Sequence, residues 1–149
     1  MKSVTTTVEV AAADRYTYLD LTEELERAIK DAGVTEGVAV AFCAHTTCAL
    51  IVNEWEDGAL DDLRSRMLHL VPDDDYYAHD DLARRTQNLD GPDERLNGSA
   101  HVKAMLLSAS SHSIPVRAGE PMLGRWQRLI LFEMDEPKDR RVVFHVFGQ

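Results

Sequence analysis

Val38-Ala39-Val40-Ala41-Phe42-Cys43-Ala44, His45-Thr46-Thr47, Cys48-Ala49-Leu50-Ile51-Val52 and Asn53-Glu54 follow one another without a break, and their reading decides the fold. Two apolar runs, each long enough for one buried strand, are separated by an imidazole and two hydroxyls. An amide and a carboxylate close the second run. Polar groups at the ends of buried strands must be hydrogen-bonded, solvated or held by a ligand, because an unpaired one costs about 1–3 kcal/mol.

Before this stretch, residues 5–11 alternate, with Thr6, Val8 and Val10 on one face, and predict a strand. Residues 16–19 predict a second. Leu21, Leu25, Ala28, Ile29 and Ala32 recur at helical spacing, with Asp20 or Thr22 to cap the start and Gly33 to stop the end. After the stretch, Leu60, Leu63, Met67 and Leu70 form a second helical stripe beginning near Trp55 or Asp57 and ended by Pro72. Asn53, or Glu54, is placed to cap it. Residues 72–95 form a long polar segment, which in a compact chain is functional or disordered more often than filler. Asn97 is expected to cap a short helix over 99–108, and residues 111–116 read as a strand. Gly124-Arg125-Trp126-Gln127 leads into a strand at 129–134 with Trp126 in the core. Residues 135–139 read as a hairpin turn before a last strand at 141–147. The fold class expected is α+β: a single domain over residues 1–149, mostly antiparallel sheet or sandwich, with two to three helices.

The formal net charge of −10 argues against general nucleic-acid binding, which needs a basic surface to displace counterions. No apolar run reaches the length of a membrane span, and residues 1–7 lack the apolar centre of a signal peptide. A cytoplasmic protein is expected, with Cys43 and Cys48 as buried thiols. A disulfide between them requires the chain to reverse at His45.

Six histidines are present. His69, His112 and His145 fall within a helix end and two strands and read as structural. His45, His79 and His101 each fall at a boundary between a regular element and a loop. Imidazole is a common transition-metal ligand, and three imidazoles with an open position is a recurrent catalytic zinc arrangement. Separate capping and core roles are the alternative, since the spacings form no local motif. Glu54 or Asp61 would serve as general base if either faced the same cleft. Thr46 and Thr47 are strand residues or hydroxyl donors to a ligand. Lys103 is a solvated lysine or a phosphate ligand, on a different helical face from His101. Gln127 is a poor core residue and needs partners. Ser108, Ser110, Ser111 and Ser113, with Asn97-Gly98-Ser99, offer hydroxyls and amides to an anion.

Taken in order, these pieces resemble the YjbQ-like family, whose members are linked to secondary thiamine-phosphate synthase activity. The carriers are His45-Thr46-Thr47 with Asn53-Glu54, Asp61-Asp62-Leu63, Val71-Pro72-Asp73, Tyr77-Ala78-His79-Asp80, Ala100-His101-Val102-Lys103, Ser111 with Ile114-Pro115-Val116, and Leu123-Gly124-Arg125-Trp126-Gln127. The resemblance implies a homotrimer with a polar site near subunit boundaries. It also implies that His45, His79 and His101 gather into one pocket for a divalent metal ion, zinc above others, or for an anion. Glu54, Asp61 and Lys103 would be catalytic, and Thr46, Thr47, Asn53, Asn97, Ser111, Arg125 and Gln127 would bind a small phosphorylated or anionic metabolite. The implied reaction joins a pyrimidine diphosphate to a thiazole phosphate with loss of pyrophosphate. A metal-dependent hydrolase and a non-catalytic metabolite-binding trimer are the alternatives. The chain departs from the family pattern in a longer segment between His79 and His101, and in Arg125, where a small hydroxyl residue is common.

Overall fold

The computed structural model describes residues 1–107 and 110–149. Ser108, counted above in the third helix and among the anion-facing hydroxyls, lies outside them. The elements run β1 (Lys2–Ala11), β2 (Tyr18–Asp20), α1 (Thr22–Ala32), β3 (Glu36–Cys43), β4 (Cys48–Glu54), α2 (Asp57–Leu70), α3 (Gly98–Leu107), β5 (Ser111–Arg117), β6 (Glu120–Pro121), β7 (Gln127–Glu133) and β8 (Asp139–Gly148). This is α+β, with every strand pairing antiparallel. Five strands form one sheet in the order β1-β8-β3-β5-β6, and three form another in the order β2-β7-β4. Among the described residues no helix is long and apolar enough to cross a membrane.

The three-stranded sheet is the middle layer. Cys48, Leu50, Leu129 and Leu131 face the larger sheet and meet Ala39, Ala41, Val142 and Phe144, with Leu25 and Ile29 of α1 closing the same core. Ala49, Phe132 and Met134 face the other way, onto Met67 of α2 and Ala100 of α3. Burial on both faces explains why β4 and β7 read as continuous apolar runs and not as alternations.

That layering overturns the hairpin expected at 135–139. β7 belongs to the middle sheet and β8 to the outer one, so the segment is a crossing between layers. The bend at 44–47 between β3 and β4 is a second such crossing. The cap expected from Asn53 is also corrected. β4 continues past it, pairing Asn53 with Arg128, and the Asn53 side chain accepts from the Glu54 N–H. Glu56 caps α2 instead, accepting from the Gly58 and Ala59 N–H groups.

α1 ends as its sequence predicts. Gly33 adopts φ 61° and its N–H bonds to the carbonyls of Ile29 and Lys30. A side chain there is disfavoured in the left-handed region, so Gly33→Ala is expected to cost about 1–2 kcal/mol. A thermal melt checks it: the midpoint falls by roughly 2–4 °C for each kcal/mol in a chain of this size.

Candidate functional site

Both layer crossings, the N-terminal half of α3 and the irregular segment 71–97 meet around one cavity. Its volume is about 880 Å³, and Thr46, His79, Arg85, Asn97, His101 and Lys138 are among its walls. A second cavity, of about 460 Å³, is lined by His45, Thr46, Cys48, His101, Ala104, Met105 and Ser110. Thr46 and His101 border both, so the two spaces share a wall.

The His79 and His101 rings lie 4.4 Å apart, centre to centre, tilted by 42°. Each is placed by the backbone beneath it. His101 sits one turn into α3, its N–H bonded to the Asn97 carbonyl. His79 Nδ1 lies 3.1 Å from Asp80 Oδ1, and that oxygen also accepts from the Gly98 N–H at 2.8 Å. Asp80 therefore caps α3 and orients His79 together. Gly98 is needed here, because a Cβ would run into the Tyr77 side chain. Burial, followed by the neighbouring His79, holds His101 below the usual imidazole range. Its ring is neutral at pH 7.

Asn97 donates to Asp135 Oδ2 at 2.7 Å, and Lys138 pairs with the same oxygen. Burial works against the Asp135 carboxylate, but the hydrogen bonds from Lys138 and Asn97 win and hold it at about 2. Behind the bend, Thr47 is buried. It accepts from Arg140 Nη2 at 2.9 Å, and Arg140 grips Glu133 through two bonds of 2.5 and 2.6 Å. This pair ties the two crossings together.

His45 stands apart from the other two. Its Nε2 accepts from the Arg141 N–H at 2.9 Å, and burial, then the Arg140 and Arg141 guanidiniums, push its pKa down. It shares the smaller cavity with His101 and is not a wall of the larger one. Among the described residues no group of three His, Cys, Asp or Glu side chains is set to hold a metal ion. His79 and His101 are two neighbouring imidazoles, and among the described residues no third such group joins them.

The remaining sequence candidates fall elsewhere. At about 3.3 Å per residue, β4 carries Glu54 roughly 20 Å from the bend. There it pairs with Gln127, near Arg125 and Asn53. Trp126, expected in the core, is 60% exposed, with the Arg125 guanidinium stacked on it at 4.5 Å. Its strand begins one residue later, so the indole lies outside the alternation that would bury it. Gln127 finds a partner in the Gly124 N–H. Asp61 pairs with Arg64 on the outer face of α2 and borders a different cavity beside Tyr16 and Tyr18. Ser111 is exposed at the start of β5. Lys103 is fully buried and bonds to Asp73 and to the Tyr16 hydroxyl, so its ammonium is committed there and not to the cavities. His112 bonds the Leu50 carbonyl and His145 bonds Thr5.

Residues 6–149 match the family model described as "UPF0047 protein YjbQ-like". A UPF0047 protein of Archaeoglobus fulgidus is 37% identical over 131 residues, covering 88% of this chain and 91% of its own. The YugU protein of Bacillus subtilis is 30% identical over 142 residues, covering 95% and 98%. Among solved structures, a YbjQ-like protein of unknown function from Sulfolobus solfataricus superposes with a TM-score of 0.86 at 25% identity, covering 99% of each chain. A family protein from Clostridium acetobutylicum gives 0.76 at 28% identity, covering 97% of this chain and 99% of its own. Sequence match and superposition both run nearly from end to end, and on that ground the chain belongs to the YjbQ/UPF0047 family.

Proposed function

We propose that the larger cavity is the active site of an enzyme acting on a small phosphorylated metabolite, with His79 and His101 as the imidazole pair that holds its phosphates, directly or through a divalent ion. The observation that carries this is the pairing of two imidazoles on the wall of a cavity of about 880 Å³, within the upper range of small-molecule sites. One ring is oriented by a carboxylate and the other is kept neutral by burial. A neutral imidazole offers one lone pair to a divalent ion and one N–H to a phosphate oxygen.

The reaction we assign is of the thiamine-phosphate synthase type. A C–N bond forms between a pyrimidine diphosphate and a thiazole phosphate, and the C–O bond to pyrophosphate breaks. Arg85, Arg95 and Lys138 bring positive charge to the wall, and Asp90, Asp93 and Glu94 balance it. Arg85 pairs with Glu94 at 3.0 Å. Phosphate oxygens would compete for these guanidinium and ammonium groups, and Asn97 and Thr46 would supply further hydrogen bonds. A divalent ion held by His79 and His101 would add a Lewis acid for phosphate oxygens. Neither Glu54 nor Asp61 reaches this cavity within the protomer, which weighs against hydrolysis with either as base. Assembly as a homotrimer belongs to the same proposal; the exposed indoles of Trp55 and Trp126, flanking the paired Glu54 and Gln127, are the kind of surface a second copy covers.

The test is to supply both phosphorylated substrates, with and without a divalent cation, and to follow pyrophosphate. Release that requires both substrates is expected. Absence of release, together with no heat on titrating either substrate, overturns the assignment.

A further inference from the structure

Cys43 ends β3 and Cys48 begins β4, in different sheets, with the bend that carries His45, Thr46 and Thr47 between them. Both are free thiols, 1% and 4% exposed, and their sulfurs lie 3.2 Å apart. A disulfide needs about 2.0 Å, so a shift of roughly 1 Å bonds them. Cys48 also borders the smaller cavity beside His45 and His101, which gives a small oxidant a route to one sulfur of an otherwise buried pair.

We propose that Cys43 and Cys48 are a reversible dithiol–disulfide couple, oxidised by hydrogen peroxide through the smaller cavity, whose closure re-sets the His45–Thr47 bend. The Cys48 sulfur attacks one peroxide oxygen. The O–O bond breaks, and the departing hydroxide takes the thiol proton as water, leaving a sulfenic acid. The Cys43 sulfur then attacks Cys48 Sγ, the S–OH bond breaks, and a second water leaves with the Cys43 proton. Two thiols are oxidised and one peroxide is reduced to two waters. Access, and not acidity, makes Cys48 the attacking group: the Cys43 contact and burial push its thiol up, while the Cys48 S–H contact lowers the Cys43 thiol, so oxidation at Cys48 is the slow step and resolution by Cys43 the fast one. A thiol added in excess reverses the bond by exchange. The bend feels the closure because its four residues are anchored at both ends by the bonded pair. Its outward reporter is the Arg141 N–H, held by His45 Nε2.

The experiment treats the full chain with hydrogen peroxide and follows intact mass, free thiols and amide exchange. Expected are a loss of two hydrogen atoms per chain with no added oxygen, loss of both thiols, full recovery with dithiothreitol, and at least a tenfold change in exchange at the Arg141 amide. In Cys43→Ser, peroxide should add oxygen to Cys48 instead. Should Cys43→Ser fail to fold, Cys48→Ala should leave Cys43 unreactive on the time scale that closes the native pair. Thiols that stay reduced, oxygen added to both sulfurs of the native chain, or disulfides formed only between chains overturn the proposal. A disulfide that leaves the Arg141 amide unchanged overturns the coupling to the bend. The couple is read without substrates, so its failure is separate from failure of the synthase assignment.

Discussion

Arg140→Met is expected to cost about 3–5 kcal/mol, a large part of the stability of a chain this size, and so to leave it partly unfolded at 37 °C. The cost comes from what stays behind. Glu133 is fully buried and bonds to Arg140 through both carboxylate oxygens. Without the guanidinium, a carboxylate sits in the core with only the Asp135 N–H to accept from, and Thr47 loses its donor. Denaturant unfolding of Arg140→Met beside Arg140→Met/Glu133→Leu separates this from simple loss of packing. The double variant removes both charges, and it is expected to recover most of the loss. If the single variant lies within 1 kcal/mol of the native chain, the buried pair is not what ties the crossings.

His101→Ala is expected to lower the rate of pyrophosphate release by about 10²–10³-fold with the fold retained, because one group that steadies the departing pyrophosphate is lost. His101 is only half-buried, and its α3 turn is held by Asn97 and by Asp80 on Gly98, neither of which the substitution touches. The same variant should lose any divalent ion that copurifies with the native protein, read by elemental analysis. A variant with native rate and native metal content removes His101 from the site.

Acidification gives a further expected result. His45 and His101 have folded pKa values below the unfolded value of about 6.5. As pH falls through that value the unfolded chain takes up protons that the folded chain refuses, so stability is full above it and declines below it. Asp73 and Asp135 are held low by their partners; their contribution is present above about 3.9 and is lost as pH falls through their folded values. Melting temperatures should therefore drop in two stages, near pH 6 and again below pH 4. In His101→Ala the first stage should shrink.

The fold was legible wherever one residue's neighbours decide the outcome. Leu25, Ile29 and Gly33 gave α1 and its end, and the apolar run from Cys48 gave β4. Which sheet a strand joins was not legible. That depends on what covers its second face, so the crossing at 135–139 looked like a hairpin. Asn53 looked like a cap because a strand end and a helix start compete for the same residue types. Of the site, the boundary positions of His79 and His101 pointed to the pair. Asp80 was within reach of the same reading, as a carboxylate next to a candidate imidazole. Arg140 and Glu133 were not, because their bond depends on two layers meeting. Lys103 lies two residues from His101, and helical geometry turned it to the opposite side, onto Asp73.

β1 pairs along its whole length with β8, Lys2 opposite Gly148, and β8 also lies beside β3. β8, the last of these strands, is thus the one on which β1, the first of them, depends. During synthesis β1 waits without this partner until β8 has also been made. Closing that pairing brings Lys2 to Gly148, and such non-local contacts slow folding relative to helical chains of similar stability. Until then its Thr-rich edge is open to pairing with another nascent chain.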